Sequence, residues 1–288
     1  MDRPEATEQR TIAPQECPTC GTVPGAGDAA PPPYVYAIGR IEPRFRSLSV
    51  HNEFRQATAK IDTVGLTGPK TMQKVLSHPN NRYLVRQMCW VMAVGGVDSY
   101  ILIPHDPADF DRFVETLRPE PSLTDLDVVI GVRGPIAPPQ MCNSLMVHVV
   151  VFDQIYSFDR ESLIGAIPRP PNASADFSAA AEELFGRIIQ VTDNLGATDE
   201  TRALNYLAVR YDAIYANAAE ALARNAWLSG VEVRLSPLSG SRKIADVIFC
   251  YTNKTTDVTE KFFVRVDVTE EFPFLVKKLS PYFDFSLQ

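Results

Sequence analysis

Cys17 and Cys20 stand two residues apart in QECPTCG, residues 15–21, amid Pro, Gly, Ala and Thr that build no packed core. Two thiols at this spacing suit either a metal ion or a redox disulfide. A redox pair opens a helix, whose N-terminus lowers the thiol pKa. Here GTVPGAG follows and starts no helix, so half of a structural zinc site is the better reading. Zinc closes a tetrahedron of four ligands, commonly thiolates, and the chain has 5 cysteines. Cys89 falls where a helical pattern passes into a strand pattern. Cys142 lies in the proline-rich loop PIAPPQMCN. Cys250, inside VIFCYTN, suits a buried apolar role. The expected ligand set is therefore Cys17, Cys20, Cys89 and Cys142, with His105 or His148 as substitutes.

Other chemistry is sparse. The sequence holds no Gly-x-Ser-x-Gly elbow, no His-Glu-x-x-His and no phosphate loop, since IGVRGP lacks the third glycine and the Lys-Ser/Thr. The four histidines, His51, His78, His105 and His148, are scattered. His148 reads as a satisfied strand-face histidine, and His105, just before a helix cap, as turn chemistry. The acidic pairs Asp109/Asp111, Asp125/Asp127 and Glu270/Glu271 read as solvated faces or helix N-termini. Asp153, Asp159 and Asp246 stand beside apolar runs. An enzyme reading would rest on Arg133, Asp153 and Asp159, in a polar pocket with perturbed carboxylates. A binding reading rests on residues 135–143. Pro135, Pro138, Pro139 and Cys142 restrict that loop, so little entropy is lost on docking. Arg133, Pro138, Pro139 and Gln140 are its expected peptide or partner contacts, Arg133 as a forked donor.

These residues need a scaffold. The 288 residues, 45% of them hydrophobic, suffice for a proper core. A net charge of −7 argues against a nucleic-acid surface built on phosphate neutralisation. No apolar run is long enough to span a bilayer, and MDRPEATEQR has no signal-peptide core. A cytoplasmic protein away from membranes is expected, with its cysteines as thiols or metal ligands rather than a disulfide framework.

Residues 1–33 read as a mostly disordered tail carrying the Cys-x-x-Cys. Residues 34–288 read as a single α+β domain with a mixed or antiparallel sheet. It is β-rich over 34–158, helical over 159–229, and ends in a β-hairpin over 230–288. Strands are expected at 34–42, 89–94, 99–104, 126–134 and 144–158. Ser49 is the expected cap of a helix buried through Val50, Phe54 and Ala57. HDPADFDRFVETLRP reads as one helix capped by Asp106, RESLIGAI as one capped by Asp159, and FSAAAEELFGRIIQVTDN as a strong amphipathic helix. Residues 198–228 read as one long helix or two. SRKIADVIFCYTN and VTEKFFVRVDVTE form the terminal hairpin, and EFPFLVKKLSPYF a short helix or docking segment.

Several long blocks carry a family signature: YVYAIGRIEPRF, NRYLVRQMCWV, DLDVVIGVRGPIAPPQMCN, VVVFDQIYSFDRESL, GATDETRALNYLAVRYDAIY and DVTEKFFVRVDVTEEFPFLV. Together, from about residue 17 onward, they resemble the C-terminal domain of unknown function of the cyanobactin maturation proteins PatG and PatA. The family's Cys-x-x-Cys and its cysteines in the RQ-x-CWV and P-x-MCN blocks match Cys17, Cys20, Cys89 and Cys142. The resemblance implies a setting in the maturation of ribosomally made, modified peptides. The subtilisin-like macrocyclase of PatG has no counterpart in these residues, so protease activity does not carry over. Three function classes follow. The first, preferred here, is a non-catalytic accessory module that binds a precursor peptide or a modifying enzyme. The others are a peptide-modifying enzyme with an unrecognised site, and a zinc-stabilised oligomerisation module, for which a homodimer is expected.

Overall fold

Alternation along the first strand, β1 (Tyr34–Phe45), decides the architecture. Val35 and Ala37 face one core while Tyr36 and Ile38 face another, as the two-residue period of a strand requires. The computed structural model describes residues 33–169, 177–191 and 193–283. Cys17, Cys20, the expected tail and part of the PRPPNAS loop lie outside these residues.

Four more strands complete a closed barrel: β2 (Met88–Val94), β3 (Val97–Pro104), β4 (Asp125–Ile136) and β5 (His148–Asp159). The order is β1-β2-β3-β5-β4, with β4 returning to β1. All neighbours are antiparallel except β3 and β5, which run parallel. This is the strand arrangement of an OB-type barrel. Gly95 and Gly96 turn the β2–β3 hairpin at φ 59° and 83°, values that suit glycine pairs in tight hairpins. β5 begins at His148, later than the sequence pattern suggests, because residues 141–147 turn within the loop instead of pairing.

Inward residues fill the barrel: Trp90 and Met92 from β2, Tyr100 and Leu102 from β3, Val129 from β4, and Val150 and Phe152 from β5. Three helices inserted after β1, namely α1 (Leu48–Ala59), α2 (Gly68–Leu76) and α3 (Arg82–Gln87), add Phe54, Leu76 and Leu84 to this core. The cap of α1 is Ser47, whose hydroxyl accepts from Val50 N, rather than Ser49. Between β3 and β4 the expected single helix is instead a 3-10 turn, residues 107–111, running into one α-turn, α4 (Arg112–Glu115). The break lets Phe113 stack on Trp90 at 4.5 Å between ring centroids, an aromatic contact worth about 1 kcal/mol beyond its buried area.

The second half is a helical layer and a second sheet. α5 (Arg160–Ala166), α6 (Phe177–Ile189), α7 (Asp199–Arg210) and α8 (Ala213–Ala223) contribute to one apolar cluster. That cluster also takes Tyr36, Ile38, Val128 and Ile130 from the outer barrel wall, and Val247, Phe249, Val264 and Val266 from the sheet. Residues 198–228 thus form two helices, with α7 started by a Thr198/Thr201 capping box. The sheet is antiparallel, in the order β6 (Ala226–Leu235), β7 (Ile244–Asn253), β8 (Thr259–Asp267) and β9 (Phe274–Pro281). Within EFPFLVKKLSPYF, expected as a short helix or docking segment, the structure places a strand, β9, instead of a helix. Its backbone pairs with β8 from Asp267↔Phe274 to Phe262↔Pro281, and prolines at 273 and 281 are compatible with an edge strand. The fold class is α+β, and no helix among the described residues is long and apolar enough to cross a membrane.

Candidate functional site

The loop between β4 and β5 lies across the outer faces of β2 and β3. Ala137, Met141, Cys142, Leu145 and Val147 cover Cys89, Val91, Ile101 and Ile103. Cys89 and Cys142 are joined as a disulfide with their Cα atoms 5.6 Å apart. Here the expectation of thiols does not describe the structure. The helix-to-strand junction and the loop bring the two backbones within the ordinary span of a disulfide. Cys250 is buried in β7, its Sγ 3.8 Å from Glu232 Oε1.

Further bonds fix the loop. Ala137 N donates to Val147 O at 2.8 Å, Met141 N to Pro138 O at 2.9 Å and Ser144 N to Pro139 O at 2.8 Å. Arg46 Nε donates to Met141 O at 2.9 Å. Asn143 and Ser144 adopt positive φ of 44° and 70° to close the turn. Its outer side presents Ile136, Pro138, Pro139, Gln140 and Met146, all exposed. Arg133 stands apart from them. It shares the inward register of Val129, and its charge opposes the rise in the Tyr100 pKa, which burial pushes up to about 12. His148 is half-buried, with Nδ1 3.0 Å from Gly134 O.

Asp153 belongs to a second cluster. Ile130 pairs with Gln154 and Gly131 with Phe152, so Asp153 is the extra residue of a β-bulge, a device that re-aims a side chain. Its Oδ1 lies 2.7 Å from His105 Nδ1. The hydrogen bond to Asp153, and then its charge, raise the His105 pKa. Glu271 reaches the same place from the turn between β8 and β9. Burial first, then Asp153, push its carboxyl up to about 7. Arg202 of α7 holds that turn by donating to Val268 O at 2.8 Å, to Glu270 O and to Glu271 O. Glu271 is thus half-buried rather than a solvated charge, and His105 is more than turn chemistry. No local signal in the sequence marks Glu271, because its environment is assembled from distant segments.

The Asp125/Asp127 pair is likewise internal. Asp127 is fully buried. It accepts from Arg118 at 3.1 Å, Ser157 Oγ at 2.6 Å and Ile41 N at 2.7 Å, while burial raises its pKa. Asp159 caps α5 through Ser162 N at 2.7 Å. Arg133, Asp153 and Asp159 therefore each answer to different partners and do not form one constellation. Among the described residues no group of three or more His, Cys, Asp or Glu is placed to hold a metal. Of the expected zinc ligands, Cys89 and Cys142 meet, and Cys17 and Cys20 lie outside the described residues.

A family model described as "PatG Domain" matches residues 34–226, and one described as "PatG C-terminal" matches residues 172–282. A solved structure described as "PatG Domain of Unknown Function" is similar with a TM-score of 0.71. The similarity covers 86% of this chain and 98% of that one at 21% identity, a level that shows the fold. No curated protein matches the chain.

Proposed function

Because the chain belongs to the PatG domain family, we propose that it is a non-catalytic accessory module of cyanobactin-like peptide maturation, binding a precursor peptide or a modifying enzyme. The observation that carries this reading is the pinned loop over residues 136–147. Many OB-type barrels take ligands on the β2–β3 face with the β1–β2 and β4–β5 loops. Here the β4–β5 loop itself occupies that face, tied by Cys89–Cys142. The working surface then moves to the loop's outer side. Ile136, Pro138, Pro139, Gln140 and Met146 stand there on a backbone that is already ordered, so docking loses little conformational entropy. Apolar and proline contacts suit an extended peptide or a partner surface, and the acidic balance of the chain does not suit nucleic acid.

Zinc belongs to the same reading. Cys89 and Cys142 are buried among Val91, Ile101, Ala137 and Val149, a dry setting that suits a closed structural site. Reduced, the two sulfurs would join Cys17 and Cys20 as four thiolates, and the metal would then hold the loop in place of the disulfide. Metal analysis of protein purified without chelator, under reducing conditions, should find one zinc per chain, lost in Cys142→Ser.

Titration calorimetry with a cyanobactin-type precursor peptide, and separately with its modifying enzymes, tests the binding role. At least one should bind the wild-type chain, and Ile136→Asp with Met146→Asp should weaken it about tenfold or more. Wild-type affinity in a folded double variant removes the loop from the interface.

A further inference from the structure

A cavity of about 360 Å3 opens between β1, the start of α2 and the segment from Thr116 to Asp127, at the opposite end of β4 from the pinned loop. Its size is at the small end of ligand sites, about 300–1,000 Å3. We propose that it is a binding site for a small organic carboxylate with an apolar body, held by Arg40.

Asp125 Oδ1 takes Arg118 Nε at 3.1 Å, and its Oδ2 takes Ser122 N at 2.6 Å. Asp127 is filled by Arg118, Ser157 and Ile41 N. Arg118 gives its remaining donors to Thr116 O at 3.1 Å and Leu126 O at 3.0 Å. Glu42 faces Arg44 at 3.5 Å. Both aspartates and Arg118 are therefore committed within the protein. Arg40 is different. Its Nε reaches Asp125 O at 3.3 Å and its Nη2 reaches Ser122 O at 2.7 Å. Those are backbone carbonyls, and no described carboxylate lies within ion-pair distance. Its Nη1 has no partner among the described residues. The two carbonyl contacts hold the guanidinium in place, so a fork that suits a carboxylate is pre-set.

The remaining lining is apolar and stiff. Ile41, Met72 and Leu117 are among the lining residues, and Pro43, Pro69 and Pro121 restrict the backbone around it. Such a wall favours a hydrocarbon body over a bare inorganic anion, since each methylene it buries strengthens binding.

The test uses the full chain, isotopically labelled at methionine methyls, titrated with acetate, butanoate and hexanoate and with the matching primary amides. The Met72 methyl should shift saturably with the acids, and affinity should rise from acetate to hexanoate. The amides should bind about tenfold more weakly or worse, as should Arg40→Gln, whereas Arg40→Lys should retain part of the affinity. No saturable shift with any acid, equal binding of acids and amides in the wild-type chain, or equal affinity of acetate and hexanoate would each overturn the proposal. The acid–amide comparison is internal to the wild-type protein, so it stands even where Arg40→Gln fails to fold.

Discussion

Glu271 is a residue whose chemistry departs from its sequence context. Its carboxyl is held at about 7 against an ordinary 4.5 by burial and by Asp153. The folded protein therefore keeps a proton that the unfolded chain releases, and stability falls as pH rises from about 4.5 to about 7. His105 acts in the same direction. Its raised pKa adds stability that is present below its ordinary value of 6.5 and is lost as pH climbs through the folded value. Urea midpoints should accordingly be lower at pH 8 than at pH 5.5, and Glu271→Gln should flatten that difference; a variant with an undiminished difference places the effect elsewhere. Gly196 gives a second prediction. It sits at φ +68°, and a Cβ there would collide with the Tyr36 carbonyl, while the backbone N–H of Tyr36 donates to Gly196 O at 2.8 Å. Gly196→Ala should cost about 3 kcal/mol in denaturant unfolding. A cost near zero would mean that this segment does not bear on β1. The sequence marked Cys89 and Cys142, by their placement at a terminus and in a proline-rich loop, as two of four expected zinc ligands, and not as the disulfide they form. It read Glu271 as half of a solvated acidic pair and offered nothing for Arg40, because the character of both depends on partners far away in the chain.

At the scale of elements, local signals were the legible ones. Gly95–Gly96 between two apolar runs specifies the β2–β3 hairpin, and Asp159 caps its helix as its position implies. The parallel pairing of β3 with β5 and the return of β4 to β1 leave no such mark, because long-range register is written in packing and not in turns. β9 was obscured for a related reason. It is an edge strand, mostly exposed, with two lysines, and its amphipathic pattern is weak. The β4–β5 loop is held by its hydrogen bonds and by one covalent tie spanning 53 residues. Cys142→Ser under oxidising conditions should lower stability by about 3 kcal/mol and quicken hydrogen exchange over residues 137–147. Unchanged exchange there would show that the loop's hydrogen bonds suffice without the disulfide.

Over the whole molecule, the helices α6 to α8 share one apolar cluster with both the barrel wall and the second sheet, which ties the two halves into one unit. The 2 tryptophans report on them separately, Trp90 inside the barrel and Trp227 on β6. Single-tryptophan variants should unfold in urea with coincident midpoints, and well-separated midpoints would show two independent folding units. The α+β class was legible as β-rich, helical and β-rich blocks along the chain. Closure of the first block into a barrel was not, nor was the way its β4–β5 loop lies over β2 and β3. That loop is the centre of the functional account, and hydrogen exchange of the full chain with and without a cyanobactin-type precursor peptide or its modifying enzymes tests it most directly. The partner that binds should slow exchange chiefly over residues 136–147, with little change elsewhere on the barrel. Protection confined to other segments, with residues 136–147 unaffected at saturating partner, would contradict it.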